Sequence, residues 1–213
     1  MKKHFWRIEY SITLFVVFAI ILMFIPTKFI ATKDATSISM WNETINKMEY
    51  IFSAMNAHSD TDILKGLKNA KDDAQREQLM MILVKPYLRI TEDNLLQKKS
   101  YQPKYLNGKV VKDGDRYYFD KLYLTKNNKV VGLKDIKDED VFHPVFLMMF
   151  DMNGVKGPNV WGKDIFGLNI FIDGNIAPIG SGWSINELKS DCSEYGTGVG
   201  CSHYYRIGGE INE

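Results

Sequence analysis

The feature that most constrains this chain is an 18-residue stretch, residues 10–27, that contains no Asp, Glu, Lys or Arg. It lies between Glu9 and Lys28 and is rich in Leu, Ile, Phe and Val. About 20 mostly apolar residues are enough for a helix to cross a bilayer, so the stretch predicts a transmembrane helix from about residue 10 to 30. The basic residues before it predict a cytoplasmic N terminus and an extracytoplasmic remainder.

The rest of the 213 residues have the composition of an ordinary folded protein. Hydrophobic residues make up 45% of the chain and charged residues 25%, with a formal net charge of +1. Such a balance disfavours both disorder and a protein that binds nucleic acid through bulk positive charge. We therefore expect one folded domain after the apolar stretch, and no nucleic acid as a direct partner.

A helical pattern continues beyond the apolar stretch. Its apolar residues are separated by alternating steps of three and four, and they are Ile38, Trp41, Ile45, Met48, Phe52 and Met55. This spacing is typical of an amphipathic helix, so the sequence predicts one long helix over residues 5–58, kinked at Pro26. We favour packing of the stripe on the outer domain, and a partner-binding groove is the alternative.

The second half of the chain carries strand and turn patterns. After a second helix at residues 72–84, ended or bent by Pro86, strands are predicted over residues 117–123, 129–132, 145–152, 168–172 and 176–178. Helices followed by strands predict an α+β fold in which the long helix lies on an antiparallel sheet. The expected organisation is a basic leader at residues 1–4, the long helix at 5–58, and an extracytoplasmic α+β domain at 59–213.

The chain has two cysteines, Cys192 and Cys201, and both lie in the predicted extracytoplasmic domain. A disulfide is the simplest interpretation in an oxidising compartment. The alternative is a thiol nucleophile at Cys201 with His203 as its base, but no third group that would orient the base is evident. Since no other catalytic arrangement is recognisable, the sequence predicts a protein that is not an enzyme.

Residues 151–164 form the most unusual segment of the chain. The oxygen donors Asp151, Asn153 and Asp164 are suited to a calcium ion. The segment lacks the spacing of a helix-loop-helix calcium site, and its Asn, Gly, Pro and Asp residues are also those of tight turns. We favour the turn interpretation, with calcium as the alternative and no other cofactor expected.

Two parts of the sequence resemble known families. Phe5, Glu9 and Pro26, preceded by a short basic leader, resemble the N terminus of type IV prepilins, which pilins and type II secretion pseudopilins share. In the second half, DMNGVKGPN at 151–159, GKDIF at 162–166, GNIAP at 174–178 and the late cysteine pair resemble prepilin-type proteins of several bacteria.

The resemblance implies a pilin-like fold and a non-enzymatic subunit of a type IV filament or a type II secretion apparatus. It implies that a prepilin peptidase cuts between His4 and Phe5, and that Glu9 pairs with the terminal amine of a neighbouring pilin-like subunit. The implied location is the bacterial inner membrane, crossed once, and then a filament or the cell surface after assembly.

The leader departs from the family pattern. His4 stands where the family has Gly, and Trp6 and Arg7 stand where it has small or apolar residues. An uncleaved single-pass membrane protein, with an extracytoplasmic domain that binds a ligand or partner, is therefore the alternative function.

Overall fold

The computed structural model describes the backbone of residues 2–58, 67, 70, 72–95, 101–136 and 144–210. Within those ranges the side chains of residues 2–9, 21–34, 58, 73–74 and 91–95 are not described. The chain divides into two compact units, residues 1–36 and residues 37–213. One helix, α1 (Lys2–His58), contributes to both units.

The predicted transmembrane helix from about residue 10 to 30 is contradicted. Among the described residues, no helix offers a stretch both long and apolar enough to cross a membrane.

The α+β class and the antiparallel sheet of the prediction are found in the second unit. Its strands are β1 (Ile90–Leu95), β2 (Lys121–Thr125), β3 (Val130–Asp135), β4 (Phe146–Asp151), β5 (Ile165–Ile170) and β6 (Ile176–Pro178). They form one antiparallel sheet in which each strand pairs with the next along the chain. Since neighbouring strands run antiparallel, their connections need not cross the sheet.

The apolar stripe of α1 packs into the core of this domain, as predicted. Trp41, Ile45, Met48, Phe52 and Met55 are all buried. Their cluster includes residues of β3, β4 and β5. The helix therefore covers one face of the sheet and leaves Glu43, Asn46, Lys47 and Glu49 exposed to solvent.

A second helix, α2 (Asp73–Leu88), follows and packs in the same cluster. Asp72 caps its N terminus by accepting a hydrogen bond from the backbone N–H of Gln75 at 2.8 Å. Pro86 lies inside the helix, which ends at Leu88. The next residue, Arg89, adopts a left-handed conformation. The prediction of an end or bend near Pro86 is thus met only approximately.

The sheet has a second apolar face, which explains the continuous apolar run in β4. Phe146, Met148 and Phe150 point to the cluster that contains α1, while Leu147 and Met149 belong to a second cluster. Alternate residues of a strand point to opposite faces, so both faces of this strand are buried. Loops and turns that precede β2 or follow β4 supply the cover for the second face, including Tyr101, Val111, Phe119, Trp161 and Val199.

Some predicted boundaries were wrong. The predicted strand 117–123 begins only at Lys121, because Tyr117–Phe119 belong to a turn region in which Tyr118 N–H bonds to Asp115 O at 3.0 Å. The Phe119 ring instead covers Gly132 of β3, where an added Cβ would lie 2.9 Å from the ring. The C-terminal helices α3 (Ile185–Asp191) and α4 (Cys201–Tyr204) were missed, although Ser184 and Glu187 form a capping box that the sequence displays.

Candidate cation site

The loop that joins β4 to β5 is closed by two buried carboxylates. Asp151 is the last residue of β4, and Asp164 immediately precedes β5. Because β4 and β5 are antiparallel, with Asp151 opposite Ile165, the two ends of the loop meet. Asp151 is 0% exposed and Asp164 is 2% exposed. Within the described part of the chain, neither carboxylate forms an ion pair with Lys or Arg.

Asp164 holds the far end of the loop through hydrogen bonds. It accepts from the backbone N–H groups of Val160 at 2.6 Å and Asn159 at 2.9 Å. The side-chain Nδ2 of Asn153 donates to the same carboxylate at 2.7 Å. Burial raises the pKa of Asp164, and these hydrogen bonds act in the opposite direction by favouring the charged form.

Asp151 lies beside a buried tyrosine. The hydroxyl of Tyr101 donates to Asp151 Oδ2 at 2.7 Å, and the backbone N–H of Asn153 donates to Oδ1 at 3.1 Å. Burial raises the pKa of Asp151 to about 8, and the negative charge of Asp164 adds to that rise. Burial also raises the pKa of Tyr101 well above its usual value, so its hydroxyl stays a donor at neutral pH.

The side chain of Asn159 lies close to Asp151 Oδ2 and to two backbone carbonyl oxygens. One end of its carboxamide lies 3.2 Å from Gly154 O, 3.2 Å from Lys156 O and 3.1 Å from Asp151 Oδ2. When this end is Nδ2, it donates hydrogen bonds to all three oxygens. When it is Oδ1, four oxygens converge with no donor between them. Asn159 is 8% exposed and adopts a left-handed backbone conformation, with φ at 53°.

The three predicted oxygen donors are thus brought together. Asp151, Asn153 and Asp164 share one hydrogen-bonded network in which Asn153 bridges the two carboxylates. Both interpretations of the sequence stay open at this level, because the network closes a turn and also concentrates oxygens. Among the described residues, no group of three or more His, Cys, Asp or Glu side chains is placed to hold a metal ion.

Sequence reasoning missed the contributions of Tyr101 and Asn159. Tyr101 lies far from the loop in sequence and reaches Asp151 only through the covering of the second sheet face. No spacing rule signals such a contact. Asn159 did carry a signal, since Asn after Pro158 within a glycine-rich loop is a common choice for a left-handed position.

The predicted disulfide between Cys192 and Cys201 is confirmed. Since it engages both cysteines of the chain, the alternative of a thiol nucleophile paired with His203 is wrong. Cys201 opens α4 and is fully buried. Its neighbour Ser202 accepts a hydrogen bond from Gly167 N–H of β5 at 2.9 Å, so the bridged segment is attached to the sheet.

The N-terminal predictions concern side chains that lie outside the described residues. His4, Phe5, Glu9 and Pro26 fall within the backbone of α1, and the roles predicted for their side chains in processing and assembly stay predictions.

Comparison of the chain with protein-family models, with curated proteins and with solved structures finds no match.

Proposed function

We propose that this protein is a non-enzymatic structural subunit, pilin-like or pseudopilin-like, of a type IV filament or a type II secretion apparatus. The first unit associates with the same helical segment of neighbouring subunits, and the α+β domain provides the outer contacts. Other pilin-like subunits are the main partners of the protein.

One observation carries this proposal, namely the exposure of apolar side chains in the first unit. Leu14 is 74% exposed and Phe15 is 76% exposed. The exposed large apolar residues of this unit are Tyr10, Ile12, Leu14, Phe15, Val16, Val17, Phe18 and Ile20. Five consecutive residues, 14–18, point in all directions around a helix, so among the described residues no side of this segment is covered.

A helix that is apolar on all sides is stable in water only when other structure surrounds it. A single partner would cover one side, whereas a bundle of several copies covers all of them. Association of identical helices therefore fits the pattern better than docking of one ligand. This agrees with the resemblance of Phe5, Glu9 and Pro26 to prepilins.

Glu9 has a defined role in this proposal. A carboxylate held among apolar helices is costly unless it meets a positive charge. After cleavage between His4 and Phe5 by a prepilin peptidase, the terminal amine of a neighbouring subunit would supply that charge and set the register. The disulfide supports an extracytoplasmic position of the α+β domain, since disulfides persist in oxidising compartments.

The test is assembly in the native host. We expect Glu9→Ala to remove the chain from the sheared, high-mass surface fraction while its total amount in the cell is unchanged. Glu43→Ala is the matched control, because Glu43 is an exposed glutamate of the same helix within the folded domain. Assembly of Glu9→Ala at the wild-type level, or absence of the wild-type chain from any high-mass fraction, would contradict the proposal.

A further inference from the structure

A small pocket lies between α1, the last residue of α2 and the turn that joins β2 to β3. Its volume is about 100 Å³. Pockets for drug-sized ligands begin at about 300 Å³, so this one is sized for a small polyatomic ion. Half of its lining is polar and consists of Glu43, Thr44, Lys47, Thr125, Asn127 and Lys129. The rest is apolar, which strengthens electrostatic attraction inside the pocket.

The ammonium group of Lys129 is held at this pocket without a counter-charge. Its Nζ donates to Thr44 Oγ1 at 3.0 Å, and the Thr44 hydroxyl in turn donates to Met40 O at 2.7 Å. Lys129 is half-buried and forms no ion pair with a residue that the structure describes. Burial lowers the pKa of Lys129, while the charge of Glu43 raises it and that of Lys47 lowers it. An ammonium group in this position calls for an anion.

Lys47 brings a second ammonium group to the pocket. Its Nζ donates to the backbone carbonyl of Tyr87 at 3.0 Å, and it too lacks an ion pair within the described part of the chain. Each ammonium group has three N–H donors, so two on Lys47 and two on Lys129 remain after these contacts. The hydroxyl of Thr125 and the carboxamide of Asn127 add further donors to the lining.

We propose that this pocket binds a phosphate group between Lys47 and Lys129. A phosphate presents oxygens in several directions, which suits donors that come from a helix and from a strand turn. Lysine binds phosphate as a point charge, and two lysines outweigh the single carboxylate of Glu43. The shared chemistry is that of free inorganic phosphate and of a phosphate headgroup on a lipid. This inference does not depend on the proposed filament function.

Glu43 separates a phosphate pocket from a self-contained network of charges. Glu43 is exposed and lines the pocket, so its carboxylate would repel a bound phosphate. If the pocket binds phosphate, Glu43→Gln removes this repulsion and tightens binding. If the two lysines are balanced by Glu43 alone, the same variant binds phosphate no better than the wild type.

The experiment is isothermal titration calorimetry of the full chain with inorganic phosphate at constant ionic strength. We expect saturable binding, with a Kd that rises about tenfold or more in Lys129→Met, because a charged hydrogen-bond donor is lost. Lys47→Met should weaken binding as well. Glu43→Gln should lower the Kd by about threefold, as expected for an exposed charge. Lys47 and Glu43 are both exposed, so these two variants test the proposal even if Lys129→Met fails to fold.

The matched control is Lys109→Met, which removes an exposed lysine elsewhere in the domain and should keep the wild-type Kd. Acetate should bind more weakly than phosphate, since it has only two oxygens and one charge. Absence of saturable phosphate binding would overturn the proposal, as would equal weakening in Lys109→Met and Lys129→Met, or acetate binding as tight as that of phosphate.

A second arm distinguishes the two sources of the phosphate group. Phosphatidylcholine vesicles with and without phosphatidic acid are sedimented with the wild type and with Lys129→Met. A fraction that depends on phosphatidic acid and is lost in Lys129→Met would assign the pocket to a lipid headgroup. Equal sedimentation of the two chains, together with calorimetric binding, would assign it to free phosphate.

Discussion

Trp41 and Ser202, which are 161 residues apart, are joined by a buried hydrogen bond. The indole Nε1 of Trp41 donates to the backbone carbonyl of Ser202 at 2.8 Å. The Trp41 ring stacks on Phe166 of β5, with the ring centroids 5.4 Å apart. Ser202 also accepts from the backbone N–H of Gly167, so α1, the sheet and the segment after the disulfide meet at this point.

This contact predicts a large effect of Trp41→Phe. The substitution keeps an aromatic ring but leaves the Ser202 carbonyl without its donor and creates a small cavity. We expect the free energy of unfolding to fall by about 2 kcal/mol, as measured by urea denaturation followed by circular dichroism. Trp183→Phe is the control, because Trp183 is 38% exposed and should change stability by less than about 0.5 kcal/mol. Equal losses in the two variants would show that the hydrogen bond contributes nothing specific.

The buried carboxyl of Asp151 predicts a pH dependence of stability in EDTA. Because the pKa of Asp151 is raised from 3.8 to about 8 on folding, the folded chain keeps a proton that the unfolded chain has released. The contribution of the Asp151 carboxyl to the free energy of unfolding is therefore largest below about pH 4. It is lost as the pH rises towards about 8.

The measurement is the difference in unfolding free energy between the wild type and Asp151→Asn across this pH range. Asn cannot ionise, so the subtraction isolates Asp151 from the other titrating groups. We expect the wild type to lose a few kcal/mol relative to the variant between pH 5 and pH 8. A wild type that gains stability relative to Asp151→Asn would mean that the fold stabilises the ionised carboxylate.

Removal of the disulfide should lower stability without destroying the local structure. Cys192 and Cys201 close a short loop, for which the chain-entropy estimate is about 2.5 kcal/mol. Asp191 also holds this loop by accepting hydrogen bonds from the backbone N–H groups of Thr197 and Gly200, both at 2.8 Å. The double variant Cys192→Ala/Cys201→Ala should therefore fold, with a lower midpoint of urea denaturation than the wild type.

Reduction of the wild type gives the control for this prediction. Its midpoint should fall to about that of the double variant, since both lose the same covalent link. If neither treatment moves the midpoint, the bridge does not constrain the unfolded chain as the loop-closure argument requires.

Local patterns predicted the parts of the fold that depend on periodicity. The three-four spacing from Ile38 to Met55 identified the buried face of α1, and the strand predicted over residues 145–152 corresponds to β4. The α+β class of the second unit followed from the order of these elements, whereas the predicted transmembrane helix was wrong. Such signals depend on the spacing of residues along the sequence, so they can be recognised without knowledge of the tertiary structure.

What the sequence did not predict depends on contacts between distant residues. The aromatic residues 117–119 have strand propensity, yet Phe119 covers Gly132 from outside the sheet. The bond between Tyr101 and Asp151 likewise arises only when the covering segments fold over the second sheet face. Tertiary packing outweighs local propensity at such places.

The proposed association of identical helices is tested by the thiol reactivity of Phe15→Cys in sheared, membrane-free assemblies from the native host. Phe15 is exposed in the single chain, whereas a helical bundle would bury it. We predict that a maleimide labels Cys at position 15 slowly in the assembly and rapidly after dissociation. Asp113→Cys, at an exposed turn of the folded domain, should react rapidly in both states. Rapid labelling of position 15 in the intact assembly would show that the helices do not associate through this segment.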